Sequence, residues 1–164
     1  MDYQDERTAY GRLMYSLEMG WVRFLSGHIW LWYVLNLTWG LPGTIIGACI
    51  ALFVRVFLCR RKPARYRMVR EFDFGSNWGG LEGVFFIFVS RGMGDAWEEH
   101  TREHELGHSF QNALLGPFNV FLTFIPSMLR YWAQRLFPKR FGKPYDLIWF
   151  EGSATDGGHY YASR

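Results

Sequence analysis

Cysteine is scarce in this chain of 164 residues: only Cys49 and Cys59 occur, both in or beside one apolar helical segment. They are not placed for a disulfide, and neither has metal-ligand spacing. A disulfide-stapled secreted fold is excluded, and a reducing compartment fits better. The start, Met-Asp-Tyr-Gln-Asp-Glu-Arg, lacks the basic residues and short apolar core of a secretory signal, so no cleaved export is expected. Internal repeats and low-complexity linkers are also lacking, which leaves one domain, 1–164. Lys and Arg outnumber Asp and Glu by 18 to 15, and the pI is near 9.0. The basic residues flank apolar runs rather than forming a stripe of their own, so nucleic acid is not an expected partner.

Charge is absent from two long stretches, 29–54 and 109–129. The first exceeds the roughly 20 residues that cross a bilayer but is interrupted by Gly40-Leu41-Pro42-Gly43. Basic clusters follow each stretch: Arg55, Arg60, Arg61, Lys62, Arg65, Arg67 and Arg70 after one, Arg130, Arg135, Lys139, Arg140 and Lys143 after the other. A single crossing by each stretch would put the clusters on opposite sides, against the positive-inside rule. Two helical hairpins, turning at Pro42-Gly43 and near Pro126-Ser127 and touching each other, keep both clusters on one side, the cytoplasmic one, facing anionic headgroups. Aromatics reach 20%, with 8 Trp, while mean hydropathy is −0.09. Rings at that density suit a membrane interface.

Against this background stands His104-Glu105-Leu106-Gly107-His108. On a helix, residues i and i+4 share a face, so both imidazoles can reach one zinc ion, while Glu105 on the adjoining flank can take a proton from zinc-activated water. Asp95 with Glu98 resembles a capping box and Gly116-Pro117 is a stop, which predicts a helix over 96–115. His100 lies on the same face, but three histidines in line along one helix cannot converge on a tetrahedral ion. It is expected to be solvated among Glu98, Glu99 and Glu103.

A third ligand must come from elsewhere, and downstream the candidates are Asp146, Glu151, Asp156 and His159. Glu151 follows Ile148, Trp149 and Phe150, where a buried carboxylate needs a partner such as a metal ion. Asp156 can orient a ligand histidine through its other ring nitrogen. The pentapeptide together with Glu151-Gly-Ser-Ala154 resembles the gluzincin metallopeptidases, including the membrane-bound prenyl-protein proteases and their bacterial heat-shock relatives, whose pattern is H-E-L-G-H followed by E-x-x-A-D. The resemblance covers at most 83–157. It implies that His104, His108 and Glu151 hold Zn2+ and that Glu105 is the general base. The pattern departs at Thr155, where the family has an acid.

Between the clusters and the motif, Arg70–Phe74 and Gly83–Ser90 alternate or carry β-branched and aromatic residues, which predicts an antiparallel pair joined by Gly75–Gly80. The resemblance suggests that 83–90 binds extended substrate as an added strand. The expected fold is α+β and mainly helical: a minimal zincin-like core of active-site helix, antiparallel strand pair and third-ligand helix, with one or two membrane-inserted hairpins. Its membrane-associated part is 1–60 and its zincin-like catalytic part 61–164. The expected function is a membrane-associated zinc peptidase acting on peptide or protein substrates. His159, Tyr160 or Tyr161, beyond a Gly157-Gly158 break, would stabilise the oxyanion. Two readings compete: a site-two-type intramembrane protease with Asp156 as third ligand, and a non-catalytic metal-binding membrane protein.

Overall fold

A computed structural model describes residues 8–58, 61–75, 79–141 and 147–164. The described chain is mainly helical around a small mixed sheet. Helix α1, Ala9–Gly27, starts where Thr8 accepts a hydrogen bond from the Gly11 amide at 3.1 Å. It buries Glu18, Met19, Val22 and Leu25 along one stripe. Helix α2, Ile29–Leu37, is followed by a break at 38–40 and by α3, Leu41–Phe53, which continues as a π-helical turn over Val54–Leu58. Pro42 sits in the first turn of α3, where its missing N–H costs nothing, so the break precedes the proline.

Four strands follow: β1 (Ala64–Tyr66), β2 (Val69–Asp73), β3 (Gly80–Glu82) and β4 (Phe86–Val89), in the order β1-β2-β4-β3. The expected antiparallel pairing of 70–74 with 83–90 is wrong: β2 and β4 run parallel, with Phe72 opposite Phe88. The physical reason is β3. Chain leaving β2 crosses to β3 and turns sharply at 83–85 into β4, closed by the Gly83 amide on the Phe86 carbonyl at 2.8 Å. That turn makes β3 and β4 the antiparallel hairpin and sends β4 back alongside β2.

Helix α4, Asp95–Leu115, carries the motif, and α7, Trp149–Ala162, carries Glu151. Between them lie a 3-10 turn at Gly116–Phe118, a π-helical turn at Val120–Phe124, α5 (Ile125–Leu136) and short α6 (Pro138–Phe141). The residue ahead of α4 is Gly94, at φ 102, and no side chain caps the helix. Asp95 is therefore the first helical residue rather than a cap, while Glu98 reaches back to accept from the Gly92 amide at 2.8 Å. Residues α4–α5 bend by 114° around 116–119. The hairpin turn expected near Pro126-Ser127 is not there, because Pro126 again falls in a first helical turn.

The two apolar stretches do meet. Trp39 donates its indole N–H to the Leu114 carbonyl at 3.2 Å, and Asn112 bridges Asn36 and the Gly40 carbonyl. One segment, Leu41–Leu58, is long and apolar enough to cross a membrane. Ile45, Ile46, Leu52, Phe53, Val56 and Phe57 stand exposed on it. The main core draws Val22, Leu25 and Trp32 from the first helices together with Val69, Ile87, Leu106 and Phe110.

Candidate metal centre

Helices α4 and α7 pack at backbone contact, which brings the site together. A Cβ on Gly107 would lie 1.9 Å from the Ala154 carbonyl oxygen, and one on Gly158 would lie 1.7 Å from that of Glu103. Only glycine permits that approach, and Gly157-Gly158 accordingly sits inside α7 rather than breaking it.

At this crossing His104 Nε2 lies 3.1 Å from His108 Nε2, and the Glu151 Oε2 lies 3.2 Å from the first and 3.4 Å from the second. Donors on a tetrahedral ion with bonds of about 2.0–2.1 Å are separated by about 3.3 Å, so the triangle has the right size. Glu151 is fully buried, and its only polar neighbours among the described residues are the two imidazoles. A buried anion facing two imidazoles across an ion-sized gap could hold a metal ion, and these three residues form such a group.

The other ring nitrogens are engaged. His108 Nδ1 lies 2.7 Å from Gln111 Oε1, and the Gln111 amide nitrogen is committed to Glu18, Ser153 and the Phe150 carbonyl, so its oxygen must be the acceptor. His104 Nδ1 contacts the Thr155 hydroxyl at 2.8 Å. With Nδ1 carrying the proton, each Nε2 is left as a lone pair aimed at the gap.

Thr155 thus takes the orienting role expected of Asp156. The Asp156 side chain is exposed and accepts from the Tyr15 hydroxyl at 2.5 Å, which also removes it as the alternative third ligand. Asp146 lies outside the described residues, as does Cys59, while Cys49 is an exposed free thiol. Because α7 is continuous, its last turn stays on the helix rather than swinging over the site. His159 pairs with Glu103 at 2.9 Å in solvent, Tyr160 stacks under Arg23 and Arg164, and Tyr161 packs on Phe110. None of the three lines the site cavity, which corrects their expected role. His100 is exposed at the rim, as its spacing suggested.

Burial raises the Glu105 carboxyl, and the charge of Glu151 adds to this against the pull of the two imidazoles. Burial works against a charged His108, yet the Glu151 hydrogen bond and charge outweigh it and lift the imidazole to about 10. Burial alone would likewise raise Glu151; hydrogen bonds from His104 and His108 instead hold it far below the usual range. Without a metal, a proton fills the place of the cation.

The group opens into a cavity of 420 Å³. Its floor is α4, one wall is β3, and its roof is the π-turn with α5, contributing Phe124, Met128 and Trp132. Gly80 passes so close to Glu105 that a Cβ would lie 2.4 Å from Oε1. Here β3 is the free edge strand, whereas β4 is paired on both sides and cannot receive an added strand, contrary to the role expected of 83–90. Comparison with protein-family models, curated proteins and solved structures returned no match.

Sequence reasoning missed Gln111, Thr155 and Glu18. Glu18 had a signal: an acid on the apolar stripe of α1 with Val22 and Leu25. It is 1% exposed, and burial raises its carboxyl to about 7.

Proposed function

We propose that the protein is a membrane-associated zinc metallopeptidase of gluzincin type. The observation that carries this reading is the triangle of His104, His108 and Glu151 donors with a buried carboxylate, Glu105, one residue along the same helix and facing the same cavity. Bound there, zinc supplies an acidified water and polarises the scissile carbonyl. Gln111 and Thr155 hold the imidazoles in the binding tautomer. Glu105, buried and raised in pKa, accepts a proton from water and returns it to the leaving amine. The open edge of β3 offers backbone groups to an extended peptide, and α5 covers part of the cavity above them.

Membrane association is supported by the exposed apolar surface of Leu41–Leu58 and by that of Phe118, Phe121, Leu122, Leu129, Leu136 and Phe137 around α5. Arg55 lies near the end of the first of these surfaces, Arg61 and Lys62 follow it, and Arg130, Arg135 and Lys139 accompany the second, which favours the cytoplasmic face.

Metal analysis and peptide hydrolysis on three proteins test the proposal. Wild type should hold one zinc per chain and cut peptides, Glu151→Ala should lose zinc, and Glu105→Gln should keep zinc while losing at least ~100-fold in kcat. Hydrolysis undiminished in Glu105→Gln would overturn the role given to Glu105, and a zinc-loaded wild type that cuts no peptide would leave only a structural metal site.

A further inference from the structure

One carboxylate in the cavity has no role in that mechanism. Glu82 ends β3 and lines the cavity beside Glu105, His104 and His108. Its Oε1 accepts from the Val84 amide at 2.7 Å. No cation and no side-chain donor pairs with Glu82 among the described residues. Apart from Glu105, the buried acids do have partners: Glu71 and Glu98 share Arg91 and Arg102, Glu151 faces two imidazoles, and Glu18 is bonded by Gln111 and Ser153. Burial raises the Glu82 carboxyl to about 7, against the pull of the His108 charge and the Val84 amide.

The clamp on Glu82 is itself strained. Val84 has φ 65, a left-handed backbone conformation that a β-branched side chain rarely adopts, and it is 1% exposed. Its amide is the group that fixes Glu82, so the strain is held where it sets the direction of one carboxylate.

The charge balance then points to a ligand. Glu82, Glu105 and Glu151 are three carboxylates around one site; with all three ionised and a divalent ion held by neutral imidazoles, one negative charge would be left over for a cation to balance. The rest of the described wall holds no lysine or arginine: it is apolar or neutral apart from His100, which stands exposed to solvent at the rim. We infer that Glu82 receives a positively charged group of the substrate, so that the enzyme selects peptides bearing an ammonium or guanidinium beside the scissile bond. This rests on the metallopeptidase reading. The group comes either from a free amino terminus or from a Lys or Arg side chain, and both offer the same short charge-assisted hydrogen bond.

Calorimetry on the zinc-loaded wild type, which keeps all three carboxylates, tests this with three short peptides of otherwise equal sequence, each carrying an uncleavable ketomethylene in place of the scissile amide. One has a free amino terminus with norleucine, one is acetylated with norleucine, and one is acetylated with lysine. A charged peptide should bind on the order of tenfold tighter than the neutral one, and which of the two does so identifies the source. Adding Glu82→Gln should erase the difference and leave zinc content at one per chain. Glu82→Asp should keep a weaker preference, which separates recognition from damage to the fold. Equal binding of all three peptides, or a preference that survives Glu82→Gln, overturns the inference. So does a second zinc per chain that Glu82→Gln removes, since the spare charge then belongs to a metal. Failure of wild type to take up any zinc instead overturns the metallopeptidase reading beneath it.

Discussion

Two imidazole lone pairs and a carboxylate held 3.1 to 3.4 Å apart repel or compete unless something positive lies between them. With His108 lifted to about 10, a proton serves at neutral pH when metal is absent, and an incoming metal must displace it. Zinc affinity is therefore expected to rise about tenfold per pH unit from pH 6 to 8. About one proton should be released per ion, measured by calorimetry in buffers of different ionisation enthalpy. Gln111→Ala and Thr155→Val should each weaken zinc binding 10- to 100-fold by freeing a ring to rotate, with competition against a chelator as the readout.

Glu18 makes a separate prediction. Its folded carboxyl, at about 7, lies above its ordinary 4.5, so the folded state holds the proton more tightly than the unfolded chain. Its contribution to stability is then fully present below pH 4.5 and is lost as pH rises through 7. Glu18→Gln should be more stable than wild type at pH 8 by on the order of 2 kcal/mol and should match it near pH 4.5, measured by urea unfolding. The group of His104, His108 and Glu151 that could hold a metal ion was legible at this scale because i, i+4 spacing on a helix is a geometric statement, and because an acid among Ile148, Trp149 and Phe150 needs a partner. Gln111 and Thr155 were not. A neighbour three residues from His108 on a helix is always near, and only the rotamer says whether it bonds. Thr155 occupies the position next to Ala154 that drew the eye to Asp156, one residue and 100° around the helix too far.

At the level of elements, the tightest constraint is the crossing of α4 and α7. Gly107→Ala should destabilise the fold by about 2–4 kcal/mol and reduce zinc content together, because a methyl against the Ala154 carbonyl separates the two helices that share the ion. Thermal melting alongside metal analysis checks both. Glycine pairs read locally as breaks, which is how Gly157-Gly158 came to look like a hinge; whether a glycine ends a helix or lets it touch another depends on what lies opposite. The sheet was misread for a related reason. Turn residues advertise hairpins between neighbours, whereas the β2 to β4 pairing depends on a third strand of three residues inserted between them. The α+β class, the motif helix and the third-ligand helix needed no such distant information.

For the whole molecule, the exposed apolar residues of Leu41–Leu58 and of α5 are the dominant surface feature. Purified protein should bind vesicles containing phosphatidylserine more tightly than neutral ones, and the difference should shrink as salt rises from 0.05 to 0.5 M, read by co-sedimentation. Substituting both Arg130 and Arg135 by Glu should remove most of the salt-dependent part and leave the apolar part.

The 114° bend at 116–119 ties these scales together. The helix bearing both histidines runs without interruption into the elbow, and the arm beyond it presents its greasy flank outward. On a bilayer that receives the arm, the reactive centre hangs at a set height from the lipid boundary. Under the proposed function the bend would act as a ruler: the place where a tethered chain is cut would be counted from the membrane surface.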